Sequence, residues 1–407
     1  MLTAMIVGVF NESYLWMKSA KELGYTIIAT HPIDIKDKYY YQDTKDYIDY
    51  FYTVSYDDKF KLLEIAKKHE INLVICHPSS NDATMTSAYI NTELGLKGVD
   101  INSANIACNK LEFYKFLEKN QLPCPSFTFR LDNIDLNTIK FPCVVKPAFG
   151  AGSVGVKVIQ SLSELKKFIQ TKKYDYGYSL SKSHDDFYIV QDYVIGQKIM
   201  GCHSVVHEGK LKIFGRTYRY LNQEHNKLPY CYGQEFITTY DEITPKTSNA
   251  IEHLIKKLGV NNTPFDLEIL LDENNDIISF IELNLRPAEK AFNHISGRNG
   301  YEYCIKEQVK LGTDLNCDFS EIGENKTYIG VKYFAFHPGI IKKIQWPETP
   351  STCVFFKTKL QENSVITDLW NVNIAVENGS MILIDSSDKQ IKQTFNDFYK
   401  NIIVEYQ

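Results

Sequence analysis

The stretch from residue 264 to 285 constrains this chain most. Pro264-Phe-Asp-Leu-Glu-Ile-Leu-Leu271 alternates as a strand, Asp272-Glu-Asn-Asn-Asp276 is turn-forming, and Ile277 to Leu285 reads as the return strand. Alternation puts Asp266 and Glu268 on one face of the first strand, and Phe280, Glu282 and Asn284 on one face of the second. A hairpin symmetric about Asn275 sets Glu268 directly across from Glu282. Two carboxylates at that separation repel and destabilise the pair; a divalent cation between them reverses the sign. Glu, Glu and Asn offer only hard oxygens, a set that suits Mg²⁺ shared with phosphate oxygens. A solvated charged face on an edge hairpin is the competing reading, weakened because Ile281, Leu283 and Leu285 enclose Glu282. Arg286 falls on the Glu282 face, where its planar fork suits a carboxylate or the charge that develops in acyl transfer, or a structural salt bridge.

A second device lies upstream. Phe141-Pro-Cys-Val-Val-Lys-Pro147 is a strand ending in a lysine, followed by Ala148-Phe-Gly-Ala-Gly-Ser-Val-Gly155 and a second strand, Val156–Ile159. Glycines at 150, 152 and 155 permit close backbone approach, so that several N–H groups converge on one anion beside the Lys146 charge. No Gly-Lys-Ser/Thr follows and the loop leads into a strand, which excludes a Walker A loop. The arrangement is a flap that folds over phosphates, or else a plain Gly-rich hairpin.

Residues 1–108 alternate strand and helix: Met5–Val9, Ser13–Leu23, Thr26–Thr30, Asp58–His69, Ile71–Cys76 and Asp82–Leu94, with Gly24 and Gly95 as helix stops. This pattern predicts a parallel α/β sheet. The loop Gly8-Val-Phe-Asn11 lacks G-x-G-x-x-G, so nothing argues for a dinucleotide. His77-Pro-Ser-Ser-Asn-Asp82 is either a substrate loop at the carboxyl end of that sheet or a polar turn before a helix. Asn109-Lys110 opens a helix to Asn120, and Pro123 and Pro125 break the chain. Lys172 to Asp186 reads as a surface loop. After Lys326 the segments Tyr328–Phe336, Thr352–Lys359 and Met381–Asp385 are strand-like, with a last helix near Lys389–Lys400.

The 407 residues are 44% hydrophobic with net charge −5, which leaves no overall basic footprint for nucleic acid. No apolar run approaches the ~18 residues needed to span a bilayer, and the first ten residues read as a strand, not a secretory leader. Nine cysteines lack C-x-x-C spacing, as expected of reduced structural thiols in a cytoplasm.

Together these motifs resemble the ATP-grasp family, over most of the chain. Lys146-Pro-Ala-Phe-Gly-Ala-Gly-Ser-Val-Gly-Val156 is similar to that family's K-P-x-x-G-x-G-S-x-G-V flap, and Glu282-Leu-Asn-Leu-Arg-Pro287 to its E-x-N-x-R-P signature. The resemblance implies an ATP-grasp fold of class α/β: an N-terminal α/β domain (1–108), an ATP-grasp domain (109–327) with a flexible lid sub-domain near 124–192, and a β-rich C-terminal part (328–407). It further implies that Lys110, Lys146, Gly150, Gly152, Ser153 and Gly155 bind ATP. The hinge Val190–Gln197 would dock adenine and ribose through Gln191, Asp192, Tyr193, Val194 and Gln197. Glu268, Glu282 and Asn284 would ligate Mg²⁺ or Mn²⁺, and Arg286 would stabilise the acyl phosphate. Two departures concern the hinge, where Gln191 and Gln197 replace the usual acids. Ala288–His294 replaces the usual glycines and shapes the substrate pocket, with His294, Ser296 and Gly297 as candidate contacts. The tail around Phe336–Lys342 looks like that of the dipeptide-forming L-amino-acid ligases. The expected activity is therefore an ADP-forming carboxylate–amine (or thiol) ligase on small molecules, cytoplasmic, with a homodimer allowed. The alternative is a carboxylase or purine-pathway enzyme activating bicarbonate or formate.

Overall fold

The computed structural model describes residues 2–9, 13–36, 39–76, 80–150, 155–171, 187–194, 198–220, 235–239, 244–286, 300–320, 328–334, 336–366 and 378–407. The N-terminal strands β1 (Leu2–Val7), β2 (Tyr25–His31), β3 (Tyr50–Thr53) and β4 (Leu73–Cys76) form a parallel sheet in the order β3-β2-β1-β4. Its inner strand β1 is apolar from Ala4 to Val7 because both faces are covered. Ala4 and Ile6 pack on helix α1 (Ser13–Glu22). Met5 and Val7 pack against α2 (Lys59–Lys68) and α3 (Asn81–Leu94). Helix α3 starts at Asn81, one residue before the expected Asp82, on the Ser80 side chain, and stops at Gly95 in the left-handed region (φ 65°), as the sequence predicts.

Helices α4 (Ile101–Cys108) and α5 (Lys110–Lys119) then lead to a second, four-stranded sheet. It contains β5 (Thr128–Arg130), β6 (Cys143–Pro147), β7 (Lys157–Ile159) and β8 (Tyr188–Asp192), in the order β5-β8-β6-β7. Cys143, Val145, Tyr188 and Val190 face α6 (Leu162–Thr171) in one core. The alternate residues, including Lys146 and Gln191, point to the other side. The expected surface loop 172–186 lies outside the described residues.

The third sheet has eight strands, ordered β13-β12-β9-β10-β11-β14-β18-β16. Its members are β9 (Lys198–His207), β10 (Lys210–Tyr220), β11 (Glu235–Thr239), β12 (Thr263–Leu271), β13 (Ile277–Asn284), β14 (Tyr328–Tyr333), β16 (Cys353–Thr358) and β18 (Gly379–Asp385). Phe265, Leu267, Ile269, Cys202 and Leu283 face the main core with α5 and α7 (Pro245–Leu258). The sheet runs on past residue 327, so the expected boundary there does not interrupt its pairing: β11 bonds to β14. Helix α8 (Gly300–Lys310), distant in sequence, returns to the first sheet, where Ile305 and Val309 complete the α1 core. Three short strands, β15 (Gly339–Gln345), β17 (Val365–Ile366) and β19 (Ile403–Tyr406), make a separate small sheet.

The last helix, α9 (Asp388–Lys400), lies tightly on β14. A Cβ on Gly330 would sit 2.3 Å from Cγ2 of Ile391 and 2.6 Å from Cε2 of Phe395, both fully buried. Neither ring nor branched chain has room to yield. Gly330→Ala is expected to cost about 1–3 kcal/mol by overpacking, read as a lower midpoint in urea denaturation. An unchanged midpoint would refute this close approach.

Candidate active site

The site forms where the lid sheet, the β12–β13 hairpin and α5 meet. The hairpin closes through its acidic turn, where Asp272 Oδ1 accepts from the N–H groups of Asn274 and Asp276 and Asn275 takes a φ of 66°. Glu268 pairs with Glu282, and Asp266 with Asn284. The ladder is not symmetric, however: two register shifts, after Glu268 and after Leu270, intervene between turn and carboxylates. The pairing beside the turn, Leu271 with Ile277, would by itself set Glu268 against Phe280; the two shifts together bring Glu282 opposite Glu268.

Their repulsion is offset by Lys110, the first residue of α5. Its Nζ lies 3.2 Å from Glu282 Oε1 and donates to the Gly150 carbonyl at 2.9 Å, tying the flap to the hairpin. Asn109, the N-cap of α5, accepts from the N–H groups of Leu111 and Glu112 and so orients the helix start. Lys146 Nζ donates to the Tyr114 hydroxyl at 2.7 Å and stands 4.8 Å from the centre of that ring. Tyr114 in turn donates to the Ile281 carbonyl at 2.8 Å. Burial and the nearby Lys110 cation push the Lys146 ammonium down to about 7, with Glu282 and Glu268 opposing them. Tyr114 was missed in the sequence, although it stands one helical turn from Lys110, a spacing that places both on one face.

The Arg286 guanidinium donates from Nη1 to Asn81 Oδ1 at 2.7 Å. Asn81 opens α3 at the carboxyl end of the N-terminal sheet, beside the buried Asp82. The hairpin arginine thus reaches the other lobe at the place where an α/β sheet presents ligands. Two thiols lie nearby. Burial pushes Cys108 up to about 12 and raises Cys76, against the pull of Arg286. Neither is a poised nucleophile.

At the hinge, Gln191 is buried on the Lys146 face of the lid sheet, and its Oε1 has no partner among the described residues. Asp192 points to the other face, where Oδ2 accepts from the Ser126 N–H at 2.9 Å. Its side chain is therefore committed to the lid. Gly155 has a φ of 75°, and a Cβ there would meet Pro147 Cγ at 2.9 Å, so this position requires glycine. Gly152, Ser153, Gln197, Pro287, His294, Ser296 and Gly297 lie outside the described residues, as does 77–79 of the candidate substrate loop.

The donor set fits the group expected of it. Glu268, Glu282 and Asn284 share a face and offer oxygen only. Among the described residues no group of three His, Cys, Asp or Glu side chains could hold a metal ion. The third protein ligand would be the Asn284 amide, with phosphate oxygens completing the shell. The lone Gln191 oxygen and the buried Lys146 likewise fit a nucleotide's amino group and phosphates.

Residues 139–293 match the ATP-grasp domain family, and the chain takes the ATP-grasp fold. Among solved structures it superposes on an L-amino acid ligase from Bacillus licheniformis with a TM-score of 0.75 at 13% identity, covering 100% of this chain and 99% of that one. A phosphoribosylglycinamide synthetase from Anaerococcus prevotii gives 0.66 at 19% identity, covering 100% of both. In sequence it is 25% identical over 156 residues to a D-alanine–D-alanine ligase of Streptococcus pyogenes, a match of 36% of this chain and 42% of that protein. The chain thus spans less than half the length of the curated relatives it matches. Among the described residues no helix is long and apolar enough to cross a membrane.

Proposed function

We propose that this protein is an ATP- and magnesium-dependent ligase that activates a carboxylic acid, an amino acid by class, as an acyl phosphate and couples it to an amine. ADP and phosphate would be released. One observation carries the reading: Lys110 meets Glu282 of the carboxylate pair, Lys146 meets Tyr114 of the same helix, and Arg286, which follows the hairpin, reaches Asn81 of the N-terminal lobe.

Lys110 and Lys146 would hold the phosphates, with the flap at Gly150 and Gly155 covering them. Gln191 and the 192–194 backbone would receive the adenine. The cation would neutralise charge on the transferring phosphoryl group. Arg286 would stabilise the acyl phosphate and the tetrahedral species formed on amine attack, and the closed flap would keep water from the activated acid. The similarity to an L-amino acid ligase supports an amino acid over other acids. Residues 1–108, 109–327 and 328–407 would serve as acid-presenting, nucleotide-binding and C-terminal units, in a small-molecule enzyme of the cytoplasm. A homodimer accords with the reading.

The test is trapping. An amino acid panel with ATP, Mg²⁺ and hydroxylamine should yield ADP and a hydroxamate. Release of AMP and pyrophosphate would overturn the acyl-phosphate route. Bicarbonate as the sole productive acid would move the protein to the carboxylase class.

A further inference from the structure

Beside the paired glutamates, the same face of the large sheet carries a second polar group that the ligase chemistry does not use. Asp266 stands next to Glu268 along β12 and pairs across with Asn284 on one side and His203 on the other. His203 Nδ1 lies 3.1 Å from Asp266 Oδ1, and its Nε2 lies 3.2 Å from Thr217 Oγ1. Between them is Gly201, which pairs with Glu268. A Cβ at 201 would fall 2.6 Å from Thr217 Oγ1 and 3.5 Å from His203 Nε2, so the threonine reaches the imidazole only because that position is bare. His203 and Thr217 are buried.

Four oxygen-bearing side chains therefore occupy one square of the sheet: Glu268 and Glu282 in one row, Asp266 and Asn284 in the next. Three of them are carboxylates, and an extra carboxylate beside a cation site draws the ion toward itself. Lys110 compensates Glu282. Asp266 has the imidazole.

We propose that His203 is a positioning residue that holds Asp266 out of the cation's coordination shell, so that the ion is shared by Glu268, Glu282 and Asn284 alone. In this arrangement the Thr217 hydroxyl would donate to Nε2, so that the ring proton sits on Nδ1, 3.1 Å from Asp266 Oδ1; a histidine's second nitrogen sets its tautomer in this way. The device is one of selection. It keeps a carboxylate-rich face from binding the cation in the wrong place before nucleotide arrives. This inference rests on the reading of Glu268, Glu282 and Asn284 as cation ligands.

Direct titration of Mn²⁺ into the nucleotide-free protein, followed by electron paramagnetic resonance, tests both and keeps them apart. Glu282→Gln should weaken Mn²⁺ binding in the parent background; unchanged binding sinks the ligand set itself. His203→Gln retains reach toward Thr217 but loses the nitrogen facing Asp266. It should tighten Mn²⁺ binding roughly fivefold, the effect of exposing one more charge near the ion. The double variant His203→Gln/Asp266→Asn should return to the parent affinity, and His203→Asn, which keeps a nitrogen at the Nδ1 position, should stay close to it. Thr217→Val frees the ring without changing its charge, and should shift affinity in the same direction as His203→Gln if that variant folds poorly. A purely structural histidine would loosen the site and weaken binding in all of these. Weaker or unchanged binding in His203→Gln, or tightening that persists in the double variant, overturns the proposal.

Discussion

Binding of ATP to this protein at pH 8 is expected to take up about one proton, because the free site holds Lys146 largely uncharged. Burial and the Lys110 cation bring its ammonium down to about 7 from an ordinary value of 10.5. Nucleotide phosphates favour the charged form and would restore the proton. Calorimetric titrations in buffers of different ionisation enthalpy read this directly, as a slope of observed enthalpy against buffer enthalpy. Lys146→Met should flatten the slope. It should also weaken binding by about 1.5–3 kcal/mol, roughly tenfold to a hundredfold, through loss of a charge-assisted contact. A flat slope in the parent would refute the assignment. The same shift predicts a sign for nucleotide-free stability. Between about 7 and 10.5 the unfolded lysine keeps a proton that the folded one has shed. In that window the unfolded state binds more protons, so this group's contribution to stability rises with pH and levels off above it.

Arg286→Ala is expected to slow hydroxamate formation by on the order of 10²–10³, the cost of losing one donor aimed at developing charge. ATP affinity should stay near the parent's, because Arg286 reaches Asn81 of the N-terminal lobe, whereas Lys110 and Lys146 are the groups expected to hold the phosphates. Single-turnover trapping paired with ATP calorimetry separates the two quantities. Arg286→Lys should recover only part of the rate, since an ammonium lacks the planar fork. Asn81→Ala provides the control. It removes the 2.7 Å contact while leaving the guanidinium, and should lose less rate than Arg286→Ala. Equal losses would mean that the arginine serves only to join the lobes.

The legible parts of the site were those built within a short stretch of chain. The opposition of Glu268 and Glu282 follows from period-two alternation and an acidic turn. The structure reaches it through two register shifts, which turn a pairing that would set Glu268 against Phe280 into one that sets it against Glu282. The glycine pattern of the flap is legible because position 155 takes a conformation that only glycine adopts freely beside Pro147. The first sheet announced itself through apolar runs that only double coverage explains. The hinge was less legible: Gln191 and Asp192 are adjacent in sequence, but pleating sends one to the lysine face and the other to Ser126.

The sequence alone determined the local elements: the carboxylate pair, the flap with its lysine, the caps that start and stop helices, and the order of strands and helices. Each depends on neighbours along the chain, whose geometry the backbone dictates. Tertiary packing decided which charges meet. Lys110 and Glu282 are 172 residues apart, and Asn81 and Arg286 are 205 apart. No local propensity carries information over such a span. Only the closing of three sheets around shared cores brings a helix N-terminus, a hairpin and a lobe edge within hydrogen-bond distance, where a like-charged pair gains its counter-ion and a buried lysine gives up its proton near neutral pH.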